Sequence, residues 1–359
     1  MNIFVINPGS TSTKFALYNG NEQVWTRTVN HAMHELSGFT DVNEQLQYRT
    51  EVMHRIINEA PIPDTFDAVI ARGGLLRPTP GGIYDIDEAI KHDLINATQK
   101  HACNLGALMA AELAGSHGCP AYIADPEVVD ELIDESRLTG IPSIERHSIF
   151  HALNTKAVAR RYADSIGRPY EELNLIMVHL GGGISVGAHL HGKVADVNNA
   201  LNGDGPFSPE RAGTIPADQL AELCFSGRYT LNEVKRMLNG AGGLAAHLGI
   251  TDVAEIVKRA ESGETRYKKV LDAMLYNVAK EIGARAVTLR GDVDAIILTG
   301  GIAHSSYCVD AITSWVKFIA PIVVRAGEDE LASLAENALR ALKGTQKVMK
   351  YDPDRSHSM

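Results

Sequence analysis

The sequence holds four cysteines, and no two of them form a C-x-x-C pair. Cys103, Cys119, Cys224 and Cys308 are scattered along the chain, which excludes a dense disulfide scaffold and offers no zinc-ligand spacing. Reduced structural thiols are expected. No run approaches the roughly 18 consecutive apolar residues of a membrane helix. Basic residues are outnumbered, with 34 Lys and Arg against 44 Asp and Glu, giving a formal net charge of -10. A field of that sign repels phosphates, so neither nucleic acid nor an anionic membrane is an expected partner. Any phosphate site must then be built locally, from backbone amides and a few placed cations. The opening MNIFVINPGS lacks the basic and apolar segments of a secretory signal, and a cytoplasmic location is expected. The Walker A order G-x-x-x-x-G-K-[ST] is also absent.

What is present is an ordinary globular composition, 45% hydrophobic and 22% charged, over 359 residues. That length fits two domains, each able to bury its own core. An apolar run, IFVIN (3–7), ends in PGSTSTK, and KFALYNG then reads as a second strand closed by the turn Asn19-Gly20. Residues 40–60 and 86–114 carry helical spacing. DAVIARGG (67–74) and PAYIADP (120–126) read as short buried strands that stop at turn residues. Near residue 174 the opening theme returns in LNLIMVHLGGGISVGAHLHG. At an offset of 172, Asn7 meets His179, Gly9 meets Gly181, Ala16 meets Ala188 and Gly20 meets Gly192. Two related halves are expected, each opening with strand, turn, strand. A third glycine turn follows the strand AIILTGGIA (295–303). Helices are expected over 264–290, 305–319 and 329–343. No Pro-, Gly- or Ser-rich linker separates the halves, so close packing around a cleft is expected.

The turns are where chemistry is anticipated. In N-P-G-S-T-S-T-K (7–14), Gly9 permits a tight turn, and Ser10, Thr11 and Ser12 offer amides and hydroxyls to phosphate oxygens. The same segment also reads as a plain polar turn. In H-L-G-G-G, His179 ends a strand beside Gly181, Gly182 and Gly183, three residues that let a ligand approach the backbone. L-T-G-G-I-A, with Gly300 and Gly301, is a third contact or simply a tight strand–helix connection. Phosphoryl transfer needs cations around the moving group and a carboxylate for magnesium. Arg72 ends a strand before two glycines, and Arg211 lies in the loop GDGPFSPERAGTIP. Asp125, at the end of AYIAD, reads either as a metal or substrate-positioning group or as a cap for a following helix.

Six stretches together resemble the acetate and butyrate kinase family. They are VINPGSTSTK (5–14), ARGGLLRPTPGGIYDI (71–86), HACNLGA (101–107), the run from His179 to Pro216, GGLAAHLGITD (242–252) and LTGGIA (298–303). The run from His179 to Pro216 is similar to the shorter, butyrate kinase branch. The resemblance implies an α/β fold of two similar actin-like (ribonuclease H-like) domains around a nucleotide cleft. The first would comprise 1–147 with a returning C-terminal helix in 331–359, and the second 148–330, binding nucleotide and carrying the dimer contact. It implies reversible phosphoryl transfer between ATP or ADP and a short-chain fatty acid or its acyl phosphate, with Mg2+, in a homodimer or larger homo-oligomer.

By the same resemblance, Asn7, Ser10, Ser12 and Lys14 form the N-terminal phosphate signature. Arg72 and Arg211 hold the phosphoryl group and carboxylate, His179 hydrogen-bonds the phosphoryl in flight, and Asp125 is the catalytic aspartate. Gly181, Gly182, Gly183, Gly300 and Gly301 contact nucleotide, with Asp252 on the adenine side. Glu330, chosen over Glu328, is the magnesium-linked carboxylate, and His101 is the histidine near the acyl site. Acetate kinases carry Arg two residues after the adenine-side Asp, where this chain has Ala254. They read Arg-Val-Val where this chain has Arg72-Gly73-Gly74, and the missing side chain at Gly74 is expected to widen the acyl pocket toward butyrate or isobutyrate. Rival readings are an acetate or propionate kinase, a sugar kinase, and an actin-like ATPase without an acid acceptor.

Overall fold

The computed structural model describes residues 1–354. Contacts divide the chain into two units, Met1–Val129 with Asp329–Met359, and Asp130–Glu328.

The first unit is a seven-stranded sheet. β1 (Asn2–Pro8), β2 (Ser12–Asn19) and β3 (Glu22–Asn30) form an antiparallel meander, with Asn19 paired to Glu22 across the Asn-Gly turn. β4 (Ala68–Arg72) runs parallel to β1, and β6 (Ala121–Ala124) parallel to β4. β5 (Ile83–Asp85) lies antiparallel to β6, and Val348–Met349 closes that edge. β1 is apolar along its length because both faces are covered; Ile3, Phe4, Val5 and Ile6 are all fully buried. The helix Asn104–His117 packs on this sheet with most of its residues buried, so its sequence shows no amphipathic stripe. Its first turn carries Gly106, where a Cβ would stand 2.9 Å from the carbonyl oxygen of Arg72 and 3.2 Å from Pro8. That glycine lets the helix start against the ends of β1 and β4. The helix Glu330–Leu342 returns to the same sheet, against β1 and β4.

The second unit repeats the plan. β7 (Asn174–Leu180), β8 (Ile184–Leu190) and β9 (Lys193–Val197) form a meander, followed by parallel β10 (Ala295–Gly300) and β11 (Ile322–Ala326). The order β11-β10-β7-β8-β9 mirrors β6-β4-β1-β2-β3. β7 starts and ends 172 residues after β1, and each first turn spans three residues, 9–11 and 181–183. The pairing registers differ by one residue: Asn7 faces Lys14, whereas His179 faces Ser185. The helix Thr265–Thr288 buries one side against β7, β8 and β9.

Two expectations are corrected. The helical stretch 86–114 is two helices, Glu88–Ile95 and Asn104–His117, broken by the segment that carries His101. The boundary placed after residue 147 falls after Val129, and the return begins at Asp329 rather than 331. Residues 130–147 belong to the second unit because they are tied to it: Ile133 N–H donates to Ala195 O (3.0 Å), and Arg146 pairs with Asp196 (2.9 Å). Residues 355–359 of the expected C-terminal segment lie outside the described residues. Among the described residues no helix is long and apolar enough to cross a membrane.

Candidate active site

In an open α/β sheet, ligands bind at the carboxyl ends of the parallel strands, where the strand order reverses. In the first unit those ends carry Asn7, Arg72 and Asp125. The Asn7 Nδ2 donates to Glu330 Oε2 at 2.7 Å, and Arg72 Nη1 lies 3.1 Å from Glu330 Oε1. Arg72 Nη2 donates to Glu127. Burial alone would favour the neutral guanidine, but Glu127 and Glu330 outweigh it and hold the Arg72 pKa above its ordinary value. The arginine is therefore a fixed cation with its plane set by two carboxylates. Asp125 is buried and adopts φ 39°, a left-handed conformation rare for residues other than glycine. Its N–H donates to Gly82 O at 2.8 Å. The segment after it is a turn, so the helix-cap alternative is excluded.

The turn after β1 meets the helix break from the other side. His101 Nε2 lies 3.4 Å from Ser10 Oγ, and its Nδ1 accepts from the Cys103 N–H (3.3 Å). Burial lowers the His101 pKa, and Arg72 and Arg49 lower it further against the opposing pull of Glu127. The ring is neutral and donates toward Ser10. Cys103 is buried beside it, and burial, then Glu127, push its thiol well up, so it is an inert thiol rather than a nucleophile. Ser12 O accepts from the Gly9 N–H (2.7 Å) and thereby closes the turn. Lys14 stands opposite Asn7 on β2 and is exposed.

In the second unit His179 is buried at the end of β7. The Asn154 Nδ2 donates to its Nδ1 (2.8 Å), which places the ring proton on Nε2, 3.5 Å from Glu328 Oε2. The His151 ring stacks on it face to face, with centroids 3.8 Å apart. Arg211 lies over the glycine turn: a Cβ on Gly183 would stand 1.6 Å from its Nη1. Its guanidinium donates to the Ala200 carbonyl and, at 3.4 Å, to Asn239 Oδ1. Beside this group is a cavity of about 630 Å³ whose lining includes Gly181, Gly182, Asp252, Ala254, Gly301 and Glu328. Gly300, the residue before the lining Gly301, has φ 88°, and a Cβ there would meet Leu180 O at 2.4 Å. Asp252 also caps the helix Val253–Glu261, accepting from the Ala254 N–H (2.9 Å) and the Glu255 N–H (3.2 Å).

The anticipated residues thus gather in two sets. Asn7, Arg72 and Glu330 are joined by direct bonds, with Ser10 and His101 bonded to each other. Gly181, Gly182, Asp252 and Gly301 share one cavity, with His179, Gly183 and Arg211 at its glycine turn. Glu328 and Glu330 separate, the first facing His179 and the second held by Asn7 and Arg72. The Gly74 expectation is corrected: its missing side chain leaves no room. A Cβ there would lie 2.6 Å from Leu94 Cδ2 and 2.7 Å from Asn104 Cα. Sequence reading missed Arg49, Glu127, His151 and Asn154. Glu127 follows Asp125 by two residues, but nothing in the sequence marks its carboxylate as a partner of Arg72. His151 and Asn154 carry no glycine or motif signal, because only the fold stacks them on β7.

Residues 140–324 match the acetokinase family. The chain is 66% identical, over 99% of its length and all of the relative, to a protein from Phocaeicola vulgatus named "Probable butyrate kinase". It is 47% identical to "Butyrate kinase 1" of Clostridium acetobutylicum, over 97% of this chain and 99% of that one. Among solved structures, an acetate kinase from Porphyromonas gingivalis aligns with a TM-score of 0.79 at 17% identity, over 95% of this chain and 99% of that one. A propionate kinase from Francisella tularensis aligns at 0.69 and 20% identity, over 94% and 98%. The structural likeness shows the fold, the actin-like α/β arrangement that the family resemblance implied. The chain belongs to the acetokinase family.

Proposed function

We propose that the protein is a butyrate kinase, moving a phosphoryl group reversibly between ATP and butyrate or a branched relative such as isobutyrate. The observation that carries this reading is the placement of the two arginines at strand-end turns: Arg72 oriented by Glu127 and Glu330, Arg211 laid over Gly183. The names of the relatives support the choice of acid. The nucleotide occupies the cavity lined by Gly181, Gly182, Asp252 and Gly301.

A carboxylate is ionised near pH 7, so the acid needs no general base. One of its oxygens forms a bond to the γ-phosphorus as the bond to the ADP oxygen breaks, and ADP leaves with that electron pair. Arg72 and Arg211 balance the charge on the equatorial oxygens, and the Nε2–H of His179 donates toward them, which places the catalysis in positioning and electrostatics. Magnesium is commonly held by one or two carboxylates together with nucleotide phosphates and water. The oxygen donors Glu330 and Asn7 fit that habit, and Glu330 is the carboxylate assigned to it. When bound, the ion supplies positive charge against the phosphate oxygens.

The test is hydroxamate trapping of acyl phosphate, with Mg-ATP and straight acids from acetate to hexanoate plus isobutyrate. The highest kcat/KM falls on butyrate or isobutyrate. A maximum at acetate or propionate would make it another acid kinase of the same family, and ATP hydrolysis without any acyl product would remove the acid acceptor altogether.

A further inference from the structure

The guanidinium of Arg49 is fully buried behind the turn that follows β1, and it is the one fully buried arginine of the described residues. It comes from the helix Gln45–Glu59. Nη1 donates to Gly9 O (3.1 Å) and Thr13 Oγ1 (2.9 Å), Nη2 to Ser10 O (3.0 Å) and Gln45 Oε1 (3.0 Å), and Nε to Gln45 Oε1 (3.1 Å). All five N–H groups are spent, and every acceptor is neutral. Among the described residues no carboxylate forms an ion pair with it. A buried charge without a counter-ion is costly, so its retention calls for an anion that is not part of the chain.

The peptide geometry says where that anion sits. In a planar trans peptide the C=O and the following N–H point in opposite directions. Arg49 draws the carbonyls of Gly9 and Ser10 inward, which turns the N–H groups of Ser10 and Thr11 outward. Both residues are exposed, and among the described residues neither amide donates to a protein acceptor. Successive outward amides form an anion-binding nest. The surroundings agree with an uncompensated cation: His31, which shares the Thr13 hydroxyl with Arg49, is held neutral by burial and by the Arg49 charge.

We propose that Arg49 is a positioning residue for phosphate, turning the amides of Ser10 and Thr11 outward and supplying the fixed positive charge behind them. Its counter-ion is the phosphoryl group of the substrate, an identification that rests on the kinase reading.

The experiment compares wild type with Arg49→Met, of similar length and uncharged, and Arg49→Lys, which keeps the charge with fewer donors. Three quantities are read: acyl phosphate formation, the Kd of Mg-ATP and the Kd of adenosine, which has no phosphate to reach the turn. The rise in melting temperature with inorganic phosphate is read alongside. Arg49→Met is expected to lose 100-fold or more in kcat/KM, to bind Mg-ATP at least tenfold more weakly, to keep adenosine binding within twofold, and to lose the phosphate-induced rise. Arg49→Lys recovers part of each. Unchanged Mg-ATP and phosphate responses in Arg49→Met would overturn the inference, as would an equal loss of adenosine binding in both variants, which marks a purely structural residue. A wild type that responds to phosphate but forms no acyl phosphate would defeat the kinase reading while leaving the role of Arg49 standing.

Discussion

A Cβ on Gly74 would meet Leu94 and Asn104, both buried, before it met any ligand. The residue is a packing glycine: it lets the helix Asn104–His117 and the helix Glu88–Ile95 close on the end of β4. The choice of acid must therefore be set by other side chains. Gly74→Val is expected to cost about 1–3 kcal/mol through overpacking, read as a lower denaturant midpoint, with the order of preference among acids unchanged. A variant of full stability that shifts toward acetate would restore the pocket argument. Arg72 and Arg211 were singled out because the first ends a strand before two glycines and the second lies in a glycine-containing loop. Glu127 was not, because nothing in A-D-P-E tells which neighbour its carboxylate will meet until β4 and β6 pair and set Arg72 beside it.

At the scale of elements, the helix Gln45–Glu59 and the end of β3 seal the first turn through Arg49, Thr13 and His31. The pKa of His31 is lowered to about 4, by burial first and Arg49 second. A depressed histidine contributes stability that is present above its unfolded value near 6.5 and is lost as pH falls through its folded value. His31 alone is then worth on the order of 3 kcal/mol between those limits. His189, buried beside Tyr170 and lowered by burial, then by Lys156 and Arg160, acts in the same sense. His31→Gln is expected to flatten, without abolishing, the fall in unfolding free energy from pH 6.5 to 4, measured by urea titration at stepped pH. An unchanged slope would mean that His31 is charged in the fold. Strands were easier to read than helices here. β1, β4 and β10 are continuous apolar runs bounded by turn residues, whereas the break at 96–103 lies inside an uninterrupted helical pattern and is set by the close approach of Gly106 to β4.

Across the whole molecule, the offset of 172 recorded the repeated sheet plan, down to the length of the first turn in each unit. It could not record the one-residue difference in register, because pairing depends on how each turn closes: through the Gly9–Ser12 hydrogen bond in one unit and the Gly181–Gly183 bond in the other. Segment 130–147 was misplaced because its ties to the second unit are ion pairs and single hydrogen bonds, which leave no periodic trace. In the proposed reading, a chain of net charge -10 holds phosphate with local devices: outward amides, glycine turns and arginines fixed from behind. The central claim is that a carboxylate oxygen attacks phosphorus directly. It is tested by supplying butyrate labelled with 18O in both carboxylate oxygens, with unlabelled Mg-ATP, and releasing phosphate from the acyl product with hydroxylamine, which attacks the carbonyl carbon. One 18O atom in each released phosphate is the predicted result, whereas unlabelled phosphate would contradict transfer to the acid.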